Sequence, residues 1–221
     1  MTAFTAIDFL KDLTLNNKRE WFQANHKRFI QAKDDVERLT ARLIALISEF
    51  DDSVRGIQAK DCIYRIYRDL RFSKDKTPYK EHFGVYISKG GKKGIHAGYY
   101  LHIMPFGQSF FCGGTYGLTP AQMKEVKLSI LDEMGRFTSI VEGKPFKEAF
   151  GELEGMRLSR LPAYIPKDTP NSAYFLFKDY LASLPLKDDF FSLEDCAEQL
   201  AMKARALKPF LDFLNYTIDD L

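Results

Sequence analysis

The stretch HFGVYISKGGKKGIHAGYYLHIM, residues 82–104, gives the clearest prediction of the fold. In it, two runs with apolar or aromatic residues at every second position flank the glycine-rich segment KGGKKG. Because successive side chains of a β-strand point to opposite faces, this period predicts two strands, and the short connection predicts an antiparallel hairpin. The segments CIYRIY (62–67) and QSFFCGGTYG (108–117) show a similar pattern. We therefore expect a largely antiparallel sheet of about three to five strands.

Helical patterns precede and follow this sheet. From Thr5 to Phe50, apolar residues recur three, four and seven positions apart, and a long helix is predicted to begin near Asn25. After the sheet, Thr119, Pro120 and Gln122 supply an N-cap, a first-turn proline and a capping-box partner. Another helix is therefore predicted to begin at this point.

The predicted fold class is α+β, with a central, largely antiparallel sheet flanked by N-terminal and C-terminal helices. We expect a single domain over residues 1–221. It would be helical over 1–50, form the sheet over 60–117, and be helical with short extended segments over 119–221. Within the last part, DYLASLPL (179–186) predicts an edge strand, and DTPNSAYFLF (168–177) predicts a helix that starts at its proline.

Composition and cysteine content indicate the class of protein and its compartment. With 221 residues, 45% hydrophobic and 28% charged, the chain resembles soluble globular proteins rather than disordered or fibrous ones. The cysteines Cys62, Cys112 and Cys196 are odd in number and form no CxxC pair, which argues against a disulfide framework and a zinc knuckle. No export signal is visible at the amino terminus. We expect a cytoplasmic protein without a membrane partner.

Positive charge is concentrated in the middle of the chain. Between Lys60 and Lys93 there are ten lysines or arginines and four aspartates or glutamates, whereas the whole chain has a net charge of only +2. The densest part is RIYRDLRFSKDKTPYK, residues 65–80, which we call the basic stretch. Its asymmetry favours an anionic partner, although a run of charges can also be a solvated surface.

The basic stretch predicts a site for a phosphate-containing ligand. Guanidinium groups bind phosphate through paired hydrogen bonds, and interleaved aromatic rings can stack on a nucleic-acid base. The predicted partner is a phosphorylated small molecule or a nucleic acid, and the sequence identifies no cofactor. The predicted ligand-binding residues are Arg65, Arg68, Arg71, Lys74, Lys76, Tyr79, Lys80 and Tyr100.

Two other hypotheses remain open for the same residues. In a structural or interaction protein, the arginines would pair internally with Asp61, Asp69, Asp75 or Glu81. In an enzyme acting on a phosphorylated or other anionic substrate, Asp69, His82 and His102 are the candidates for acid/base catalysis.

The two histidines have a specific expected geometry. If the hairpin pairs residues whose numbers sum to 184, His82 lies opposite His102. Two facing imidazoles can ligate a metal, but a third ligand is not evident in the sequence, so no metal site is predicted.

Four segments carry a family resemblance. They are NNKREWFQAN (16–25), YRIYRDLRFSKDKTPYKEH (64–82), GYYLHIMP (98–105) with the glycine-rich strand after it, and a late proline-rich segment that ends in FLFKDY (175–180). Together they resemble the family labelled domain of unknown function 2461, and the likeness covers nearly the whole chain. The resemblance implies a single-domain α+β protein, but it implies no activity, ligand or catalytic residue.

Overall fold

The computed structural model describes residues 4–71 and 73–220. Within these residues the chain forms eight α-helices and four β-strands. The helices are α1 (Ala6–Leu15), α2 (Arg19–Ala24), α3 (His26–Ile47), α4 (Ala59–Cys62), α5 (Pro120–Asp132), α6 (Met134–Val141), α7 (Lys144–Phe150) and α8 (Cys196–Asp219). The strands are β1 (Phe83–Ile87), β2 (Gly98–Ile103), β3 (Ser109–Gly114) and β4 (Leu181–Leu186).

The four strands form one antiparallel sheet in the order β1-β2-β3-β4. The predicted hairpin is confirmed, because HFGVYISK contains β1 and IHAGYYLHIM contains β2. The prediction of an edge strand is confirmed in β4, where Pro185 is tolerated because an edge strand leaves one side of its backbone unpaired. Helices lie before and after the sheet in the chain, so the α+β fold class is confirmed.

The prediction of a strand at CIYRIY is wrong. Cys62 ends α4, and the residues after it form only two isolated antiparallel bridges, Ile63 with Val85 and Tyr67 with Tyr79. Between the two bridges the chain advances four residues from Ile63 to Tyr67 but six residues from Tyr79 to Val85. The two extra residues interrupt the regular ladder before a strand can form.

The chain divides into two compact units. The first comprises Met1–Lys93, Tyr100–Phe111 and Pro185–Met202, and the second comprises Gly94–Tyr99, Cys112–Leu184 and Lys203–Leu221. That 1–221 is a single domain stays a prediction. All the predicted ligand-binding and acid/base residues belong to the first unit.

Aromatic side chains from the amino-terminal helices form the core of the first unit. Phe9 of α1, Phe22 of α2 and Phe29 of α3 are buried. The Phe22 and Phe29 ring centroids are 4.9 Å apart, and the Phe29 ring is stacked on Phe83 of β1 at 6.4 Å. Burying each of these rings contributes about 1.5–3 kcal/mol, and the cluster holds α1, α2 and α3 together.

The first helix of the second unit, α5, begins where the sequence predicted. The Gln122 N–H donates to the Thr119 hydroxyl at 3.3 Å, and the Thr119 N–H donates to the Gln122 side chain at 3.0 Å, which completes the capping box. The segment DTPNSAYFLF, by contrast, forms only a 3₁₀ helix over Ser172–Leu176, because Asn171 before it adopts a left-handed conformation with φ of 55°. In the ranges that the structure describes, no helix has the length and apolar character needed to cross a membrane.

Candidate functional site

The basic stretch folds back along residues 78–85 and forms an irregular two-stranded ladder. The Tyr64 N–H donates to the Gly84 carbonyl at 2.9 Å, and the Lys80 N–H donates to the Ile66 carbonyl at 2.8 Å. Between these two bonds the chain advances two residues from Tyr64 to Ile66 but four residues from Lys80 to Gly84. The 80–84 side therefore carries two extra residues. A bulge redirects the side chains inside it, and His82 lies inside this one.

One face of β1 and β2 is buried, and the other carries half-buried aromatic side chains. Gly84 lets these rings lie across β1. A Cβ added at Gly84 would be 2.9 Å from the Tyr100 hydroxyl oxygen and 3.3 Å from an atom of the Tyr64 ring. We call this side of the sheet the outer face; its side chains are Tyr64, Lys80, His82, Tyr100, His102 and Phe110.

His82 and His102 meet on the outer face, as the predicted hairpin register requires. Their ring centroids are 4.2 Å apart, and the His102 ring is stacked on Phe110 at 4.7 Å. The Tyr100 hydroxyl lies 3.0 Å from His102 Nδ1, within hydrogen-bond distance. A neutral imidazole that accepts this hydrogen bond at Nδ1 carries its own proton at Nε2. That N–H is then available to donate to a ligand.

Burial lowers the pKa of both imidazoles to about 4. The pKa of His82 is lowered further by His102 and by the positive charge of Lys80. No carboxylate among the described residues contributes to either shift. Both rings are therefore neutral at pH 7, in a region whose nearby formal charge is positive.

Two cations of the basic stretch, Lys80 and Arg65, form no ion pair within residues 4–71 and 73–220. Lys80 is half-buried, and its Nζ lies 5.5 Å from the centroid of the Tyr64 ring. Burial, together with the charge of Arg65, lowers the Lys80 pKa. Arg65 is exposed; its charge also acts on Asp69, but that carboxylate is hydrogen-bonded to Arg71.

Arg68 is held inside the loop of the basic stretch. It forms an ion pair with Asp75, contacts the Thr77 hydroxyl, and donates to the Ser73 hydroxyl at 3.4 Å. The bond from Arg68 and two from Thr77 lower the Asp75 pKa to about 2. Arg68 is therefore engaged in an ion pair inside the loop.

Arg71 is paired in the same loop, with Asp69. Its Nε lies 3.0 Å from Asp69 Oδ1 and its Nη2 lies 2.6 Å from Asp69 Oδ2, which gives a two-point pair. Hydrogen bonds from Arg71 lower the Asp69 pKa. In the part of the chain that the structure describes, no contact joins Asp69 to His82 or His102. The three acid/base candidates are therefore not brought together.

The predicted ligand-binding residues lie in three places rather than in one pocket. Tyr79 is 5% exposed, and its ring is stacked on Phe22 at 3.9 Å, so it belongs to the core of the first unit. Lys76 Nζ donates to the Leu70 carbonyl at 3.1 Å, within the loop. The outer face has Lys80 and Tyr100 with Arg65 beside them, the loop has Arg68, Arg71, Lys74 and Lys76, and the core has Tyr79.

Comparison with known proteins gives one family match. The model of the family described as conserved hypothetical protein (DUF2461) matches residues 5–213. The chain belongs to the DUF2461 family. The resemblance inferred from the four sequence segments is thereby confirmed. Neither the curated proteins nor the solved structures gave a match.

In this DUF2461 protein, two outer-face residues, Tyr64 and Phe110, and the contact of Gly84 with Tyr100 were not predicted from the sequence. Gly84 and Tyr100 also sum to 184, so the register that paired the histidines could have placed the Tyr100 ring over Gly84. Tyr64 is brought there by the irregular ladder, and Phe110 by the pairing of β2 with β3. Neither of these registers had been predicted.

Burial disfavours the thiolate form of the three cysteines of the DUF2461 protein. Burial raises the pKa of Cys62 to about 11 and that of Cys112 to about 12. Burial also raises the pKa of the Cys196 thiol. Among the described residues, no group of three or more histidine, cysteine, aspartate or glutamate side chains is placed to hold a metal ion.

Proposed function

We propose that this DUF2461 protein binds a phosphate-containing anion on its outer face, at Lys80. The supporting observation is a half-buried ammonium group that forms no ion pair within the described residues. An ammonium group that loses hydration without gaining a counter-ion is destabilised, and the lowered Lys80 pKa is the result of that desolvation. A bound anion would supply the missing negative charge.

Other donors lie near enough to contribute to the same site. Arg65 is exposed and forms no ion pair, so its guanidinium is available to a phosphate. The neutral His82 and His102 can each donate one ring N–H. The aromatic rings of Tyr64 and Tyr100 would contact the organic part of a phosphorylated metabolite.

The direct test is calorimetric titration with pyrophosphate and with ribose 5-phosphate at constant ionic strength. The Lys80→Met variant keeps the apolar stem and removes the charge. It should bind about tenfold or more weakly, since a charged hydrogen bond contributes roughly 1.5–3 kcal/mol. Lys74→Met removes the same charge from an exposed loop position and should bind within about twofold of the unchanged protein. Equal loss in both variants, or no binding to the unchanged protein at millimolar ligand, would refute the proposal.

A nucleic acid carries the same phosphate groups as a small phosphorylated ligand. The salt dependence of the affinity distinguishes the two. Two cationic contacts predict a slope of about −2 or less steep when the logarithm of affinity is plotted against that of salt. A short single-stranded oligonucleotide should therefore bind weakly and with this shallow slope. A much steeper slope, with tighter binding than pyrophosphate, would make nucleic acid the ligand instead.

The hydrogen bond between Tyr100 and His102 favours a second candidate function, acid/base catalysis on the bound anion. A neutral imidazole oriented by a hydroxyl is suited to accept or donate a proton. Hydrolysis of p-nitrophenyl phosphate and its diester should be measured against pH, with His102→Gln beside the unchanged protein. Turnover that is lost in the variant while pyrophosphate still binds would support catalysis. Absence of turnover in the unchanged protein would leave binding as the function.

A further inference from the structure

A pocket lies on the side of the ladder opposite the outer face. Lys80 points to Tyr64, whereas its neighbour Tyr79 points to Phe22 of α2, because side chains alternate along an extended chain. This pocket has a volume of about 340 Å³. Its walls include Arg19, Phe22, His26, Tyr67, Arg68 and Tyr79.

A two-point tether fixes α2 against the ladder. The Asn17 side chain donates to the Tyr79 carbonyl at 3.0 Å and accepts from the Tyr79 N–H at 3.2 Å. Asn17 also donates to Glu81 at 3.1 Å. The pocket is therefore built from backbone-anchored elements rather than from a loose loop.

The pocket offers an aromatic surface to a ligand. Phe22 and Tyr79 are buried and stacked at 3.9 Å, while Tyr67 is 49% exposed and lies 5.4 Å from Tyr79 and 5.9 Å from Phe22. The backbone bridge between Tyr67 and Tyr79 holds the exposed ring in position. A planar ring bound against Tyr67 would extend the existing aromatic cluster.

Positive charge lies at the rim of the pocket. Arg19 is exposed and, within the residues that the structure describes, forms no hydrogen bond or ion pair through its side chain. Arg68 is fixed by Asp75 and Thr77. An adjoining pocket of about 560 Å³ is also lined by Arg19. Its lining includes two further cations, Lys18 and Lys76, and one carboxylate, Glu20.

We infer that this aromatic pocket binds a nucleotide, with the base on Tyr67 and the phosphate at Arg19 and in the adjoining pocket. The inference does not depend on the anion site at Lys80. The volume falls within the usual range for small-ligand pockets, and the juxtaposition of an exposed aromatic ring with an unpaired guanidinium matches the two halves of a nucleotide.

The test uses the fluorescence of Trp21, the one tryptophan of the chain, which lies in α2 between Arg19 and Phe22. Titration with AMP, adenosine and ribose 5-phosphate separates the contributions of base and phosphate. AMP should bind about tenfold or more tightly than either fragment, because a stacked base and a paired phosphate both contribute. Equal affinity for AMP and ribose 5-phosphate would overturn the inference.

Variants at Tyr67, Arg19 and Lys80 locate the binding. Tyr67→Leu should weaken AMP binding by about tenfold, and Tyr67→Phe, which keeps the ring, should restore it. Arg19→Gln changes an exposed side chain and should weaken the binding of AMP without affecting the binding of adenosine. This variant still tests the site if Tyr67→Leu fails to fold. Lys144→Met removes an exposed charge outside both proposed sites and should leave AMP binding unchanged, and Lys80→Met is measured beside it. Loss of AMP binding in Lys80→Met with retention in Tyr67→Leu and Arg19→Gln would assign the nucleotide to the outer face and overturn the second site.

Discussion

Replacing His102 with phenylalanine should make the folded protein less sensitive to mild acid. Phenylalanine keeps a planar ring stacked on Phe110 and facing His82, but it cannot be protonated. In the unchanged protein, protonating His102 places a charge in a half-buried position beside His82. The variant removes that cost.

The magnitude follows from the pKa of His102, which burial lowers from 6.5 to about 4. Because the folded pKa is below the unfolded one, the unfolded chain binds more protons between these two values, so stability falls as pH falls through this window. Above pH 6.5 the histidine has little effect. If the whole pKa shift contributes, the free energy of unfolding at pH 5 is about 2 kcal/mol lower than it is well above pH 6.5. Since each ring remains partly in contact with solvent, we expect about 1 kcal/mol.

The assay is urea unfolding at pH 8 and pH 5, followed by circular dichroism. Between pH 8 and pH 5, the free energy of unfolding should fall by about 1 kcal/mol less in His102→Phe than in the unchanged protein. His26→Gln, at an exposed position, is the control and should follow the unchanged protein. The carboxylates Asp69 and Asp75, whose pKa values are lowered from 3.8, titrate below this window and are common to all three proteins. If His102→Phe loses stability between pH 8 and pH 5 as steeply as the unchanged protein, the histidine is not desolvated and the reasoning is wrong.

Three further predictions concern stability and reactivity. Gly114→Ala should destabilise the fold by about 3 kcal/mol or more, because φ is +137° and the new Cβ would lie 1.9 Å from the Tyr180 carbonyl oxygen. Gly135→Ala, in α6 with no atom within 4 Å of the added Cβ, should instead stabilise by about 0.5 kcal/mol, and thermal unfolding compares the two. Thr119→Ala should cost about 1 kcal/mol in the same measurement through loss of the capping box, and no change would contradict the cap. Cys112, with its pKa raised to about 12, should be alkylated by iodoacetamide only as fast as the protein opens, whereas reaction at the rate of a free thiol would show an accessible thiolate.

The sequence by itself determined the features that depend on neighbouring residues. The two-residue period and the glycine-rich connection predicted β1 and β2, and the combination of Thr119, Pro120 and Gln122 predicted the start of α5. The facing of His82 and His102 also followed, because the register that pairs residues whose numbers sum to 184 keeps the apolar side chains of both strands on one face. Residues close in the chain carry these interactions, so their pattern is visible without a structure.

Only the tertiary structure decided the arrangement of the basic stretch. Arg71 pairs with Asp69, two residues away in the chain, whereas Arg65 forms no ion pair within the described residues although Asp61 and Asp69 each lie four positions from it. The ladder between 63–67 and 79–85 contains extra residues on one side, and those residues direct Lys80 and His82 to the outer face while Tyr79 packs on Phe22. The tether from Asn17 to Tyr79 joins residues 62 positions apart. Long-range contacts of this kind depend on how the whole unit packs, and packing is what distributed one run of cations between a loop, the outer face and the rim of a pocket.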